Sequence, residues 1–283
     1  MGWPVKHSLS PPMQEAAFAA CGIAAEYRLL PTPAELVKKV VRDLPARGFD
    51  GWNVTVPHKN AVGRCMDRLD HEAMPLASVN TVVVEKDRRL TGYSTDGYGL
   101  EMALLEQLGF APAGQRMAFV GGGGAVAATA VHMARKGVAE LVMINRTLAK
   151  IEKIANLIAN IAPQCRVHCL SLDQTDRIGE CLSQMPLLVQ GTSLGLGADD
   201  PMPLNPDMIA PDTAVMDMIY GPTPFLQALR KRGLRTADGQ AMLLHQGARS
   251  FFLWTGLDPP LEVMREALSL ALQKQPKTSG QGR

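Results

Sequence analysis

The sequence predicts a two-domain α/β protein in which one domain is built on a parallel sheet covered by helices on both faces. Three observations predict it. The chain of 283 residues is longer than one typical domain and short for three. From Met117 onward, short apolar strands alternate with helical patterns, as a doubly covered parallel sheet requires. A glycine run, Gly121–Gly124, falls between the first of those strands and the helix after it.

Taken in order, the first half mixes both periodicities. Pro11 to Ala20 is predicted helical, opened by prolines, closed at Gly22 and offered Ser10 as its N-cap. Glu26–Leu30 reads as a strand. Glu35–Leu44 reads as a helix, with Leu36, Val37, Val40, Val41 and Leu44 at helical spacing. Trp52–Val56 is a strand ended by Pro57. Val79–Val84 and Leu90–Tyr93 flank the charged turn Glu85–Arg89 of a hairpin, and Gly97–Leu108 is a helix stopped by Gly109.

The second half is more regular. Met117–Val120 is a strand, Ala125–Arg135 a helix ended by Gly137, Glu140–Ile144 a strand and Leu148–Ile161 a helix. Strands follow at Val167–Leu170, Leu187–Gln190 and Ala214–Met218, then helices at Gly239–Thr255 and Leu261–Leu272. We expect one domain from residues 1–96 with 239–273, a second from 97–238, and a disordered polar tail over 274–283.

Composition narrows the class. Hydrophobic content of 46% with 20% charged residues is ordinary for a globular protein, and the apolar runs fall well short of a membrane span. No basic-then-apolar leader follows Met1, so a cytoplasmic location is expected. A net charge of +2 gives no support to a nucleic-acid partner. Five scattered cysteines read as reduced thiols. Cys165 and Cys169 flank His168, but without a second ligand pair they read as one face of a strand, and no metal is expected. A small-molecule substrate is expected, with the chain a monomer or homodimer.

The glycine run carries the first chemistry. Gly121 permits a tight turn, Gly123 lets the backbone approach a pyrophosphate, and the following helix presents free N–H groups at Gly124 and Ala125. The third fingerprint position, usually Gly or Ala, is Val126. At the end of the next strand, Asn145, Arg146 and Thr147 stand where NAD-binding units carry Asp or Glu, with Lys150 one turn on. A ribose 2′-phosphate would meet Arg146 in a charge-assisted contact worth roughly 1.5–3 kcal/mol. NADP is therefore favoured over NAD.

Further segments carry a resemblance. They are Gly2–Pro11, Asn53–Lys59, Asn80–Thr81 and Gly92–Gly97, then the glycine run, Asn145–Thr147, Gly191–Ser193, Tyr220 and Gly239–Gly247. In this order, over nearly the whole chain, they resemble the shikimate dehydrogenase family, including its quinate/shikimate branch. The resemblance implies an N-terminal α/β substrate-binding domain and a Rossmann-type NADP-binding domain with a cleft between them. It also implies reversible reduction of 3-dehydroshikimate by NADPH in the route to aromatic amino acids. By the family's pattern Ser8 and Ser10 bind the substrate carboxylate, Thr55, Asn80 and Gln246 its hydroxyls, and Tyr220 borders the cleft. Lys59 and Asp96 are the catalytic pair, and Thr192, Met218 and Gly239 join the cofactor set. Quinate or aminoshikimate dehydrogenase, or a catalytically silent sensor on the same fold, are the alternatives.

Residue chemistry agrees with those roles. Ser8 and Ser10 alternate around Leu9 ahead of a helix N-terminus that favours an anion. A lysine ammonium can polarise a ketone and supply its proton, and Lys59 with Asp96 is expected to handle that proton as a coupled unit. Several positions depart from the family. Ser94 replaces an Asn, Gln190-Gly191-Thr192 replaces Asn-Ala-Thr, and the Tyr220–Pro224 segment is short. Met1 also lies directly against Gly2, where the family has an apolar strand. We expect either an upstream start, or a first sheet with unpaired edges and poor solubility.

Overall fold

The computed structural model describes residues 1–197 and 199–274. They form two compact units, Met1–Gly99 joined by the chain from Leu244 onward, and Leu100–Leu243. In chain order the elements begin α1 (Ser10–Ala20), α2 (Val37–Asp43), β1 (Gly51–Asn53), α3 (Lys59–Gly63), β2 (Arg68–Leu69), β3 (Thr81–Val84), β4 (Leu90–Tyr93) and α4 (Asp96–Leu108). They continue β5 (Arg116–Val120), α5 (Gly124–Arg135), β6 (Glu140–Asn145), α6 (Leu148–Ile161), β7 (Arg166–Ser171), α7 (Thr175–Leu182) and β8 (Leu187–Gln190). Last come β9 (Ala214–Asp217), α8 (Pro224–Lys231), β10 (Thr236–Ala237), α9 (Gln240–Thr255) and α10 (Leu261–Lys274).

In the first unit the sheet runs β1-β3-β4-β2. Its apolar side chains, among them Val41, Leu44, Trp52, Val62, Val79 and Val82, form the core. Register then decides where polar residues gather. Asn53 pairs with Thr81 across antiparallel β1 and β3, and Thr81 pairs with Tyr93 across antiparallel β3 and β4. The C-terminal ends of β1 and β4 therefore meet the N-terminal end of β3 at one edge of the sheet. Residues just beyond those ends, Asn80, Thr95 and Asp96, are brought together there.

The second unit is a six-stranded parallel sheet in the order β10-β9-β8-β5-β6-β7. Read from β7 this is the 3-2-1-4-5-6 order of a dinucleotide-binding sheet, which reverses between β5 and β8. Strands buried on both faces need continuous apolar runs, and Met117–Val120, Leu141–Ile144 and Leu187–Val189 are all buried.

Several expectations are corrected. The helix α1 starts at Ser10 itself, with Leu9 in the cap position and no side-chain cap. Ser8 Oγ instead accepts from the Ser10 amide at 3.3 Å. Glu26–Leu30 is extended but not a strand, because pairing along this stretch is confined to the bridge between Gly2 and Pro31. Trp52–Val56 contracts to Gly51–Asn53, the residues that pair with β3; beyond them the Val54 amide donates to Asn80 O at 2.8 Å and the Thr55 amide bonds to Met1 instead. The short elements α3, α7, α8, β2 and β10 went unpredicted, being too brief for periodicity to register. Of the expected tail 274–283, Lys274 belongs to α10 and 275–283 lies outside the described residues. Cys165 is buried, whereas Arg166 and His168 on the edge strand β7 face outward, so the Cys-His-Cys segment is a strand face.

The expected unpaired edge near Met1 is partly satisfied. Met1 N donates to Asn53 O at 2.8 Å, Thr55 N donates to Met1 O at 2.9 Å, and Gly2 N donates to Leu30 O at 3.3 Å. The same unit holds a groove of about 720 Å³ lined by Tyr27, Arg28, Phe49, Gly51 and Trp254.

Packing ties α3, and so Lys59, to the loop before β3. A Cβ added at Gly63 would lie 2.0 Å from the Ala77 carbonyl oxygen, a backbone atom that cannot rotate away. Gly63→Ala should therefore destabilise the protein by about 1–3 kcal/mol, the usual cost of overpacking. A lowered midpoint in urea unfolding, at unchanged slope, checks this.

Candidate active site

In the first unit the centre of the polar edge is an ion pair. Lys59 Nζ, at the first residue of α3, donates to Asp96 Oδ2 at 2.5 Å. Their side chains are only 16% and 9% exposed, so the pair is screened far less than a surface bridge. Asp96 opens α4, where a carboxylate complements the helix dipole. Its second oxygen, Oδ1, accepts from Asn80 Nδ2 at 2.7 Å. Asn80 is itself locked, because Oδ1 accepts from the Thr95 amide at 2.8 Å and Nδ2 also donates to Thr95 Oγ1 at 2.9 Å. Beside Lys59, the buried His58 ring donates from Nε2 to Thr32 O at 2.6 Å and so pins the start of α3.

Around the pair sits a second layer of hydroxyls and amides, in which Asn53 and Thr81 belong to the sequence motifs and Tyr27 and Ser250 do not. Asn53 Nδ2 donates to Thr81 Oγ1 at 3.0 Å and to Ser250 Oγ at 2.9 Å, and its Oδ1 accepts from Tyr27 OH at 2.8 Å. Burial raises the Tyr27 phenol above its ordinary value, against a hydrogen bond with Ser10 that lowers it. No local pattern marked Tyr27, which precedes the strand that carries Asn53, or Ser250, one helical turn beyond Gln246. Ser8, Ser10 and Gln246 are half-buried in this unit, whereas Thr55 is exposed. Tyr220 belongs to the other unit, directly after β9, 38% exposed and with its phenol raised by burial.

In the second unit, Gly121 follows β5 with φ +122°, a conformation other residues rarely adopt. Gly123 caps α5 in extended conformation, and a Cβ at Gly123 or Gly124 would meet nothing within 4 Å. The helix N-terminus is thus open to an anion. Across the sheet reversal, a Cβ at Gly191 would lie 2.3 Å from Val126 Cγ2 and 2.9 Å from Met218 Sδ. The departure of Val126 from the glycine fingerprint and that of Gly191 from the family pattern are therefore one steric adjustment. Valine takes the space that glycine leaves. After β6, Asn145 Nδ2 donates to Thr147 O at 2.8 Å, shaping the turn into α6. Arg146 and Lys150 are exposed there.

Beneath the loops after β8 and β9 lies a buried carboxyl. Asp217 accepts from the Ile219 amide at 3.0 Å and from Thr223 Oγ1 at 2.8 Å, and Gln190 Nε2 approaches it at 3.5 Å. Gln190 also braces Thr192 and Leu194, so these two buried side chains shape the loops that carry Thr192, Met218 and Tyr220. Gly239 joins them through its amide, which donates to Ile219 O at 3.0 Å. Burial raises the Asp217 carboxyl above its ordinary value, only partly opposed by its hydrogen bonds to Ile219 and Thr223.

A dinucleotide-binding sheet in one unit, and a shielded lysine–aspartate pair among hydroxyls and amides in the other, define a dinucleotide-dependent oxidoreductase of a polar carbonyl compound. Comparison with known proteins names the family. Residues 1–82 match the shikimate dehydrogenase substrate binding domain, and residues 241–268 match the shikimate 5'-dehydrogenase C-terminal domain. The shikimate dehydrogenase (NADP(+)) of Rubrobacter xylanophilus is 41% identical over 95% of this chain and 94% of its own. The solved shikimate 5-dehydrogenase of Thermus thermophilus, in complex with NADP(H) and shikimate, superposes with TM-score 0.83 at 31% identity, covering 95% of this chain and 97% of that one. The quinate dehydrogenase of Corynebacterium glutamicum, in complex with NAD, gives TM-score 0.86 at 29% identity, covering 95% and 96%. The chain belongs to the shikimate dehydrogenase family.

Gly191→Ala should weaken dinucleotide binding and lower the melting temperature, and adding Val126→Ala should restore part of both. Fluorescence titration and thermal melts of the single and double variants check the coupling. Asp217 gives a pH signature. A carboxyl raised on folding contributes stability that is complete below its unfolded value, about 4, and is lost as pH rises through its higher folded value. Urea unfolding across that window should show the loss, and Asp217→Asn should flatten it.

Proposed function

We propose that this chain is a cytoplasmic NADP-dependent shikimate dehydrogenase, which interconverts 3-dehydroshikimate and shikimate. The observation that carries the proposal is the Lys59–Asp96 pair, shielded and held by Asn80. Ketone reduction needs a proton delivered to oxygen as a hydride reaches carbon. Lys59 Nζ is a three-proton donor held in one place, able to polarise the carbonyl and give up that proton, while Asp96 keeps it aimed. Ser8 and Ser10, at the start of α1, bind the substrate carboxylate. Thr55 and Gln246 bind its hydroxyls, and Asn80 serves both the substrate and Asp96. Tyr220 contributes from the loop after β9.

The cofactor residues fit a dinucleotide by their openness. Gly121, Gly122, Gly123, Gly124 and Ala125 present backbone to the pyrophosphate without obstruction at Gly123 or Gly124. Asn145, Arg146, Thr147 and Lys150 form the ribose end, where Arg146 makes no ion pair among the described residues and is available to a 2′-phosphate. Thr192, Met218 and Gly239 lie on the loops braced by Gln190 and Asp217. When bound, NADPH supplies the hydride.

The second reading is a quinate activity on the same site, favoured by the fold match to the quinate dehydrogenase. Rates with shikimate and with quinate, each with NADP and with NAD, should be highest for shikimate with NADP. Strict quinate activity with NAD would overturn both the substrate and the cofactor. In the same assay Lys59→Ala should lower turnover by on the order of 10²–10⁴ while leaving NADPH affinity close to wild type. Near-normal turnover in that variant would remove Lys59 from the mechanism.

A further inference from the structure

We propose that Ser250 is a positioning residue for the Lys59–Asp96 pair, coupling the turn of α9 that carries Gln246 to the amide that holds Asp96. The inference rests on the function proposed above. Ser250 is fully buried in a helix, where an unpartnered hydroxyl would be destabilising. It is not unpartnered. Its Oγ lies 2.8 Å from Thr81 Oγ1, 2.9 Å from Asn53 Nδ2 and 3.0 Å from Gln246 O.

Proton counting orders these contacts. The Thr95 amide can only donate, so Asn80 Oδ1 is an acceptor and Asn80 Nδ2 faces Asp96. Thr81 Oγ1 gives its single proton to Asn80 Oδ1 at 3.1 Å, and toward Ser250 it must therefore accept. Tyr27 OH donates to Asn53 Oδ1, which turns Asn53 Nδ2 toward Ser250. Ser250 then shares its one proton between Thr81 Oγ1 and Gln246 O. Donors run one way, from Tyr27 through Asn53, Ser250, Thr81 and Asn80 to the Asp96 carboxylate. Such chains strengthen each link and fix the last amide in one orientation. Ser250 is the member contributed by α9, so it ties Gln246 and Asp96 to one frame.

The test removes the hydroxyl with little change of volume. In Ser250→Ala, kcat with shikimate and NADP should fall about tenfold, part of the 10²-fold that an ångström of misplacement can cost. The KM for NADP should not move. In an Asn80→Ala background the same change should have no further effect, because the link it acts through is gone. Independently of turnover, labelling of Lys59 by pyridoxal phosphate and borohydride, read by peptide mass, should be several-fold faster in Ser250→Ala than in wild type. Unchanged kcat and unchanged labelling overturn the proposal, as does an equal loss in the Asn80→Ala background. If Ser250→Ala does not fold, Ser250→Cys carries the same measurements. A wild-type protein inactive on shikimate would defeat the proposed function instead, and Lys59 labelling would still decide the role of Ser250.

Discussion

The pairing of Lys59 with Asp96 is the interaction around which the first unit's polar edge is built. A shielded ammonium and carboxylate attract strongly only if geometry is held, since desolvating two charges costs several kcal/mol each. The fold meets that cost by fixing both ends. Asp96 sits at the head of α4 with its second oxygen held by Asn80. Lys59 heads α3, whose start is pinned by His58 and whose end is packed against Ala77. The sheet edge brings these four attachments to one place, because β3 is antiparallel to both β1 and β4.

The second unit solves a different problem with a different device. An anionic dinucleotide needs backbone donors and close approach, which glycine supplies and side chains obstruct. Gly121 and Gly191 directly follow the two strands that flank the sheet reversal, and Val126 fills the space between them. Buried Asp217 and Gln190 brace the neighbouring loops from below. One unit places charge and hydroxyls precisely where a substrate would be read, and the other keeps a backbone surface clear.

Much of this was legible in the sequence because it is local. The apolar runs of β5, β6 and β8 and the long helices α5 and α6 follow directly from periodicity, and they landed within a residue or so of their structural limits. The resemblance to the family rests on short ordered motifs that the comparisons bear out. Where the sequence misled, a long-range partner decided. Glu26–Leu30 has strand composition, yet its pairing stops at the Gly2–Pro31 bridge. Ser10 has the chemistry of an N-cap, yet Ser8 supplies the acceptor and the Ser10 side chain meets Tyr27.

By itself, then, the sequence determined the alternation of elements and the glycine turn. Those depend on contacts a few residues apart, and local propensity and spacing report such contacts. Only the tertiary structure decided that Val126 and Gly191 are one adjustment, that Asn80 spends its amide on Asp96, and that Tyr27 and Ser250 belong to the same polar network. Each of these joins residues from separate elements, and hydrogen-bond direction and van der Waals exclusion act between atoms that only folding brings together.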